Sequence, residues 1–318
     1  MKSVIRYMCM IAMVALAFTS CNKKESKKTT FTARTQKLVY EGGTDRTYIG
    51  TDDLVHFEVG DVCMVFNINE TNASQSHCAT YEALGDGSVV TFQNCGLGEV
   101  AEERLDAFYA YYPGGVGMVE TLLGDGENKI KLFISPEQEY RQDMIPANSL
   151  PMAAKVDNVE HLGDADFDFQ NLFGVLQLKP YEAASRTITK IEVVDNFFNL
   201  SGWATMNINA FEKSNNEFAD AVDNNEPSDS ETGWTSLSRD DPNTITLNIP
   251  GGVQLGTTKE STPVFNIVLR PLALSQGCHI KITYDDGTVK DVDLSAQNLT
   301  LTIKPNYVKP VSINLDNY

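Results

Sequence analysis

The sequence is poor in the residues that usually do chemistry. Its 318 residues include four histidines, six cysteines and two tryptophans. No two cysteines have CxxC spacing, so a structural zinc site is not expected. His56, His77, His161 and His279 fall in no HExxH motif and at no other metal-ligand spacing. There is no GxSxG elbow, no phosphate loop and no dinucleotide fingerprint. The glycine-rich stretch 113–117 lacks the Lys and Ser/Thr of a phosphate cradle and reads as a turn. No catalytic residue, metal or cofactor is expected. Positive charge is scarce too: 25 Lys and Arg face 43 Asp and Glu, a formal net charge of −18. Such a surface repels nucleic acid and anionic headgroups, so neither is an expected partner. Beyond Phe18 no apolar run is long enough to span a bilayer as a helix. Helical periodicity is confined to 99–105 and 137–145, both short.

What is present begins at the N-terminus. Lys2 and Arg6 precede an apolar run from Tyr7 to Phe18. That length suits the core of a signal peptide and is too short to cross a bilayer as a helix. The run ends in Thr19-Ser20-Cys21, which resembles a lipobox, with cleavage before Cys21 and acylation of the new N-terminal cysteine. An ordinary secretory signal with an incidental cysteine is the simpler alternative. The next residues, NKKESKKTT, carry four lysines and no large apolar side chain, and read as a disordered tether. The expected organisation is a signal peptide over 1–20, a tether over 21–30, and two β domains over 31–160 and 161–318. Their junction is the polar stretch 157–164.

From Phe31 onward the patterning is β. Val62–Phe66 is a short continuous apolar run, suited to a strand buried on both faces. Residues 107–112 form an aromatic strand stopped by Pro113-Gly114. Alternation of period two recurs at 189–193, 245–249, 265–269, 280–284, 299–303 and 311–315. Gly85-Asp86-Gly87 and Asp285-Asp286-Gly287 are hairpin signals. Residues 220–231 are acidic and rich in Asn and Ser, and read as an exposed loop. Many short strands with few helices mean an all-β fold of sandwich type.

The remaining candidates are modest. Asp164, Asp166 and Asp168 alternate with Phe167 and Phe169, which makes them the wet face of a strand rather than a calcium loop. Trp203 and Trp234 are either packing residues or sugar-stacking platforms. Cys78 and Cys95 flank a hairpin and are either a disulfide or two unpaired thiols, and Cys63 reads as plain core.

Several segments together resemble the fimbrillin-like lipoproteins of Bacteroidales, the subunits of type V pili. They are the Cys21 lipobox; Phe57-Glu58-Val59-Gly60-Asp61-Val62; Phe108-Tyr109-Ala110-Tyr111-Tyr112-Pro113; Leu150-Pro151-Met152-Ala153-Ala154; and Phe167-Asp168-Phe169-Gln170-Asn171-Leu172. In the last, Gln170 or Asn171 stands where the family often has histidine. The resemblance implies two tandem transthyretin-like β-sandwich domains and a place in the fimbrium at the outer membrane. It also implies export as a lipoprotein, cleavage after an arginine near the N-terminus, and polymerisation with other pilin subunits by strand exchange. Host or bacterial surface ligands would be further partners. Arg46 follows the polar loop Gly42–Asp45, and a cut there would free a segment holding one strand; Arg34 is the second candidate. Pro305 and Pro310 bracket the joint between the strands at 299–304 and 311–315, so the last strand need not pair with its neighbour and is a candidate donor. The alternative function is a surface glycan-binding lipoprotein of a polysaccharide-uptake system. An enzyme, such as a glycosidase with paired carboxylates, is least supported.

Overall fold

A computed structural model describes residues 29–40, 54–67, 77–95, 107–114, 119–124, 127–146, 148–157, 159, 161–196, 199–207, 234–235, 243–274, 277–294 and 301–318. Cys21, Arg46, residues 99–105 and the acidic loop 220–231 lie outside them. The described residues are all-β: their helices are short 3-10 turns at Leu162–Asp164 and Leu315–Asn317. Among them no helix is long and apolar enough to cross a membrane.

Seven strands close into a barrel: β1 (Thr30–Thr35), β3 (Val62–Asn67), β4 (His77–Ala83), β5 (Val89–Asn94), β6 (Ala107–Tyr112), β10 (Met152–Asp157) and β11 (Asp166–Asn171). The first body is thus a closed seven-stranded barrel. The closure comes from β1, which pairs antiparallel with β5 on one edge and parallel with β11 on the other. With both edges used, no edge is left to water.

The second body has two main sheets. One runs β17 (Phe265–Leu269), β12 (Gly174–Tyr181), β22 (Tyr307–Asn314), β2 (Val39–Tyr40). The other runs β20 (Val289–Asp293), β19 (Cys278–Tyr284), β13 (Thr187–Asp195), β16 (Thr244–Gln254), β9 (Glu137–Glu139). Strands β13, β16 and β19 bury alternate residues, among them Ile191, Leu247 and Ile282, in a core shared with Val175, Leu178, Phe265 and Val308 of the first sheet. A third sheet joins β7 (Val119–Gly124), β8 (Glu127–Ile134), β14 (Gly202–Asn207) and β15 (Trp234–Thr235), and a ribbon joins β18 (Leu272–Leu274) to β21 (Leu301–Ile303).

Strand pairing crosses residues 157–164 in both directions. β11 follows that stretch yet belongs to the barrel, while β2 and β9 precede it and join the second body's sheets. The helical pattern at 137–145 is overridden in the same way: β9 pairs parallel with β16, and Tyr140 and Ile145 then pack on the second core. The two cores share a wall. Met64, Phe66, Tyr109, Tyr111 and Ala153 turn outward from the barrel into the second core, and Cys63, Val65, Phe108, Ala110 and Met152 turn inward. That is why every residue of β6 is buried and why its sequence is an unbroken apolar run.

A charged cluster pins one end of the second body. Glu182 is fully buried; Arg186 donates to its carboxylate at 2.9 and 3.1 Å and Tyr284 at 3.1 Å. The guanidinium also stacks on the Tyr284 ring, 3.6 Å from its centre. Burial alone would raise the Glu182 carboxyl, but the Arg186 and Tyr284 hydrogen bonds outweigh it and hold it below the usual range. A lowered carboxyl stabilises the fold above its unfolded pKa, so this contribution is complete above about pH 4.3 and is lost as pH falls through the lowered value. Arg186→Ala leaves a buried carboxylate with only the more distant Lys290 ammonium, 3.9 Å away, as its cation. Because Arg186 is partly exposed, the expected cost is about 2–3 kcal/mol at pH 7, shrinking toward pH 3 in urea denaturation.

Candidate assembly site: the N-terminal strand and its seat

Residues 30–40 stitch the two bodies together. β1 reads TFTART, with Phe31 and Ala33 inward and the polar residues outward. Phe31 is the hub of the barrel core. Its ring centre lies 5.0 Å from those of Tyr81 and Phe167, and it stacks on Phe92 at 5.5 Å. Thr35 donates its N–H to the Ser88 carbonyl at 2.9 Å and its hydroxyl to the Val55 carbonyl at 2.6 Å. The chain then crosses over. Leu38 is buried in the second core, and β2 lies parallel to β22, with the Val39 N–H donating to the Asn306 carbonyl at 2.9 Å.

Arg34 is the outward residue of β1 that faces β11. Its guanidinium contacts the Asp166 carboxylate and lies 3.6 Å from that of Asp168. All three are solvent-exposed, so the pairs are worth little in energy but favour the observed register. Asp166 and Asp168 are thus the wet face expected of that strand, with Phe167 and Phe169 buried. Arg34 sits inside a strand bonded on both edges, where a protease has no free extended backbone to grip.

The C-terminal strand is also seated within its own chain. β22 pairs parallel with β12 from Val175↔Val308 to Tyr181↔Asn314. Val308, Ile313 and Leu315 are buried, and Asp316 accepts the Ala183 N–H at 3.0 Å. Among the described residues no strand pairs with the other edge of β22 beyond Val308, which is where Pro310 lacks its N–H.

The other candidates do not gather with this seat. Of the two readings left open for Cys78 and Cys95, the structure holds them as free thiols. The β4–β5 register continues to place Cys95 opposite Thr80, and the Cys95 thiol donates to the Thr80 carbonyl at 3.2 Å. The two cysteines are therefore diagonal rather than facing. Cys63 is buried in the barrel, its thiol pushed well up by desolvation, as a core residue would be. Trp203 is half-buried, its ring edge-on to the partly exposed Phe133 at 5.5 Å, and Trp234 lies in β15. Among the described residues no three potential ligands gather to hold a metal. His279 lies on β19 with its Nδ1 2.8 Å from Asp291. Sequence reasoning missed the crossover through Leu38 and the partners of β1. The alternation of Phe31 with Ala33, and its change of phase at Leu38 and Tyr40, was the available signal.

No family model matches the chain, and no curated protein matches it in sequence. Solved structures do resemble it in shape. A candidate cell adhesion protein from Bacteroides ovatus matches with a TM-score of 0.51 at 15% identity, covering 92% of this chain and 94% of its own. Another from Bacteroides uniformis matches at 0.47 and 14% identity, covering 90% and 94%. A fimbrial protein from Bacteroides ovatus matches at 0.38 and 12% identity, covering 91% of this chain and 49% of its own. The first match establishes that the two proteins share a fold over nearly their whole lengths.

Proposed function

We propose that this chain is a structural and adhesive subunit of cell-surface fimbriae, exported as a lipoprotein acylated at Cys21 and joined to other pilin subunits by strand exchange. The observation that carries the reading is the seat of β1. One N-terminal strand fills the gap between β5 and β11, and its removal would leave a groove of unpaired backbone over an apolar floor. A strand from another subunit could fill that groove with many hydrogen bonds at once. Repeated head to tail, the contact builds a filament. The fold shared with the candidate adhesion protein of Bacteroides ovatus supports the same reading. In this account Arg46 is the processing site, because Arg34 lies inside β1. The two bodies correspond to the tandem transthyretin-like units, and the protein acts at the outer membrane. A structural role requires no catalytic centre.

Electron microscopy of cells with and without the protein tests the function. The account expects the surface filaments to be lost or shortened in its absence, and unchanged filaments would overturn it. Lipidation has its own test. Cys21→Ala is expected to leave an uncleaved or soluble precursor that takes up no palmitate analogue. A variant that still labels and stays in the membrane fraction would refute acylation at Cys21.

A further inference from the structure

A cleft of about 790 Å³ opens at the junction of the two bodies. Four parts of the chain build it: the segment 54–61 before β3, the β4–β5 turn, the end of β6, and residues between Arg141 and Leu150 that join β9 to β10. Its apolar walls are aliphatic, with Val55, Ile145 and Leu150 inside and Val59 and Met144 exposed at the rim. The aromatic residues that line it, Phe57 and Tyr112, are buried and packed edge to face at 5.3 Å, so neither offers a ring face to a sugar.

The polar lining is anionic. Glu58, Asp61, Asp86 and Asp143 stand against one arginine, Arg141, and that guanidinium contacts Glu58. Asp61 accepts the Glu58 N–H at 2.9 Å and Asp86 accepts the Val59 N–H at 2.7 Å. Among the described residues no lysine or arginine forms an ion pair with Asp61, Asp86 or Asp143. Burial raises the Asp61 carboxyl above its ordinary value, more than its hydrogen bonds lower it. The wall is also held in a costly shape. Asp143 and Asn148 are two of the four non-glycine residues with positive φ among those described, at 55° and 53°. Asn148 is fixed there by the Tyr112 hydroxyl, which donates to its Oδ1 at 3.2 Å.

We propose that this cleft is a peptide-docking site for an extended segment that carries an aliphatic side chain beside a lysine or arginine. The aliphatic group fills the trough between Val55, Ile145 and Leu150, and the cation meets Asp61, Asp86 and Asp143. Charge complementarity selects this occupant: a site with an excess of carboxylates repels phosphate and lipid headgroups and attracts a cation. Aliphatic walls without an open aromatic face favour a peptide over a glycan. The inference does not depend on the strand-exchange reading, although Val55, whose carbonyl accepts the Thr35 hydroxyl, belongs to both.

The test is calorimetric titration of the full chain with N-acetyl-Leu-Lys-Leu-amide and its Gln analogue, with maltohexaose and chitotriose as glycan probes. The Lys peptide is expected to bind at least tenfold more tightly than the Gln peptide, and to weaken as salt rises. Asp61→Asn with Asp143→Asn is expected to weaken the Lys peptide at least tenfold. Met144→Lys, at an exposed rim position, supplies a second variant that should fold normally and also weaken it. Absence of binding by the Lys peptide at millimolar concentration would overturn the proposal. So would equal affinity for the Gln peptide, unchanged affinity in Met144→Lys, or tighter binding of either oligosaccharide.

Discussion

Deleting residues 311–318 is expected to unfold the second body rather than leave a folded monomer with a missing tail. β22 pairs with β12 as far as Asn314, so the deletion strips four residues from that ladder. The deletion removes Ile313 and Leu315 from the core, the second of them fully buried. It also removes Asp316, which accepts the Ala183 N–H, and the Leu315 carbonyl that accepts from Lys290. Each lost aliphatic side chain costs about 2–5 kcal/mol, so the pair approaches the whole stability of an ordinary domain of about 5–15 kcal/mol. Near-ultraviolet circular dichroism and a thermal melt decide the matter. A cooperative melt within a few degrees of the full chain would show that the last strand is dispensable to its own core and free to act as a donor. The sequence alone allowed both readings, and the burial of Ile313 and Leu315 favours the first.

Phe31→Ala is expected to be among the most damaging single substitutions in the barrel, at about 3–5 kcal/mol. Phe31 belongs to the closing strand and touches aromatic rings from β4, β5 and β11 at once. Truncating it leaves a cavity that the closed barrel cannot collapse around, because neighbouring strands are fixed by pairing on both sides. Arg34→Ala, three residues along the same strand, serves as the control. Its ion pairs are exposed, so a change within about 1 kcal/mol is expected. Urea denaturation measures both. A loss below about 1 kcal/mol for Phe31→Ala would mean that β1 contributes little to the barrel and that its seat is not a specific groove.

The strands themselves were largely legible in the sequence, and the reasons are local. Residues 245–249 and 280–284 alternate because one face of each meets the core, and 107–112 does not alternate because both faces are covered. The partners were not legible. Alternation says which face of a strand is buried but not which strand lies beside it. β1 and β11 pair in parallel across more than a hundred residues, as do β12 and β22, and no turn between them announces the contact. The closed barrel and the crossing of pairs over residues 157–164 are consequences of those long-range choices. The choice between a disulfide and two thiols at Cys78 and Cys95 stayed open in the sequence for a related reason. The hairpin at Gly85–Gly87 was readable, but its register, offset by two residues from a Cys78–Cys95 match, was not. The cleft escaped sequence analysis because its lining comes from separate stretches of the chain, and nothing in any one of them announces that they meet.

The detachable N-terminal strand is the centre of the account, and digestion of the full chain with an Arg-specific protease tests it most directly. The products are read by mass spectrometry and by electrophoresis in SDS without boiling. The account predicts a cut after Arg46, release of the segment that contains β1, and a ladder of SDS-resistant bands that appears only after the cut. A chain that is cut but keeps residues 30–40 in place and runs as a single monomer band would contradict it.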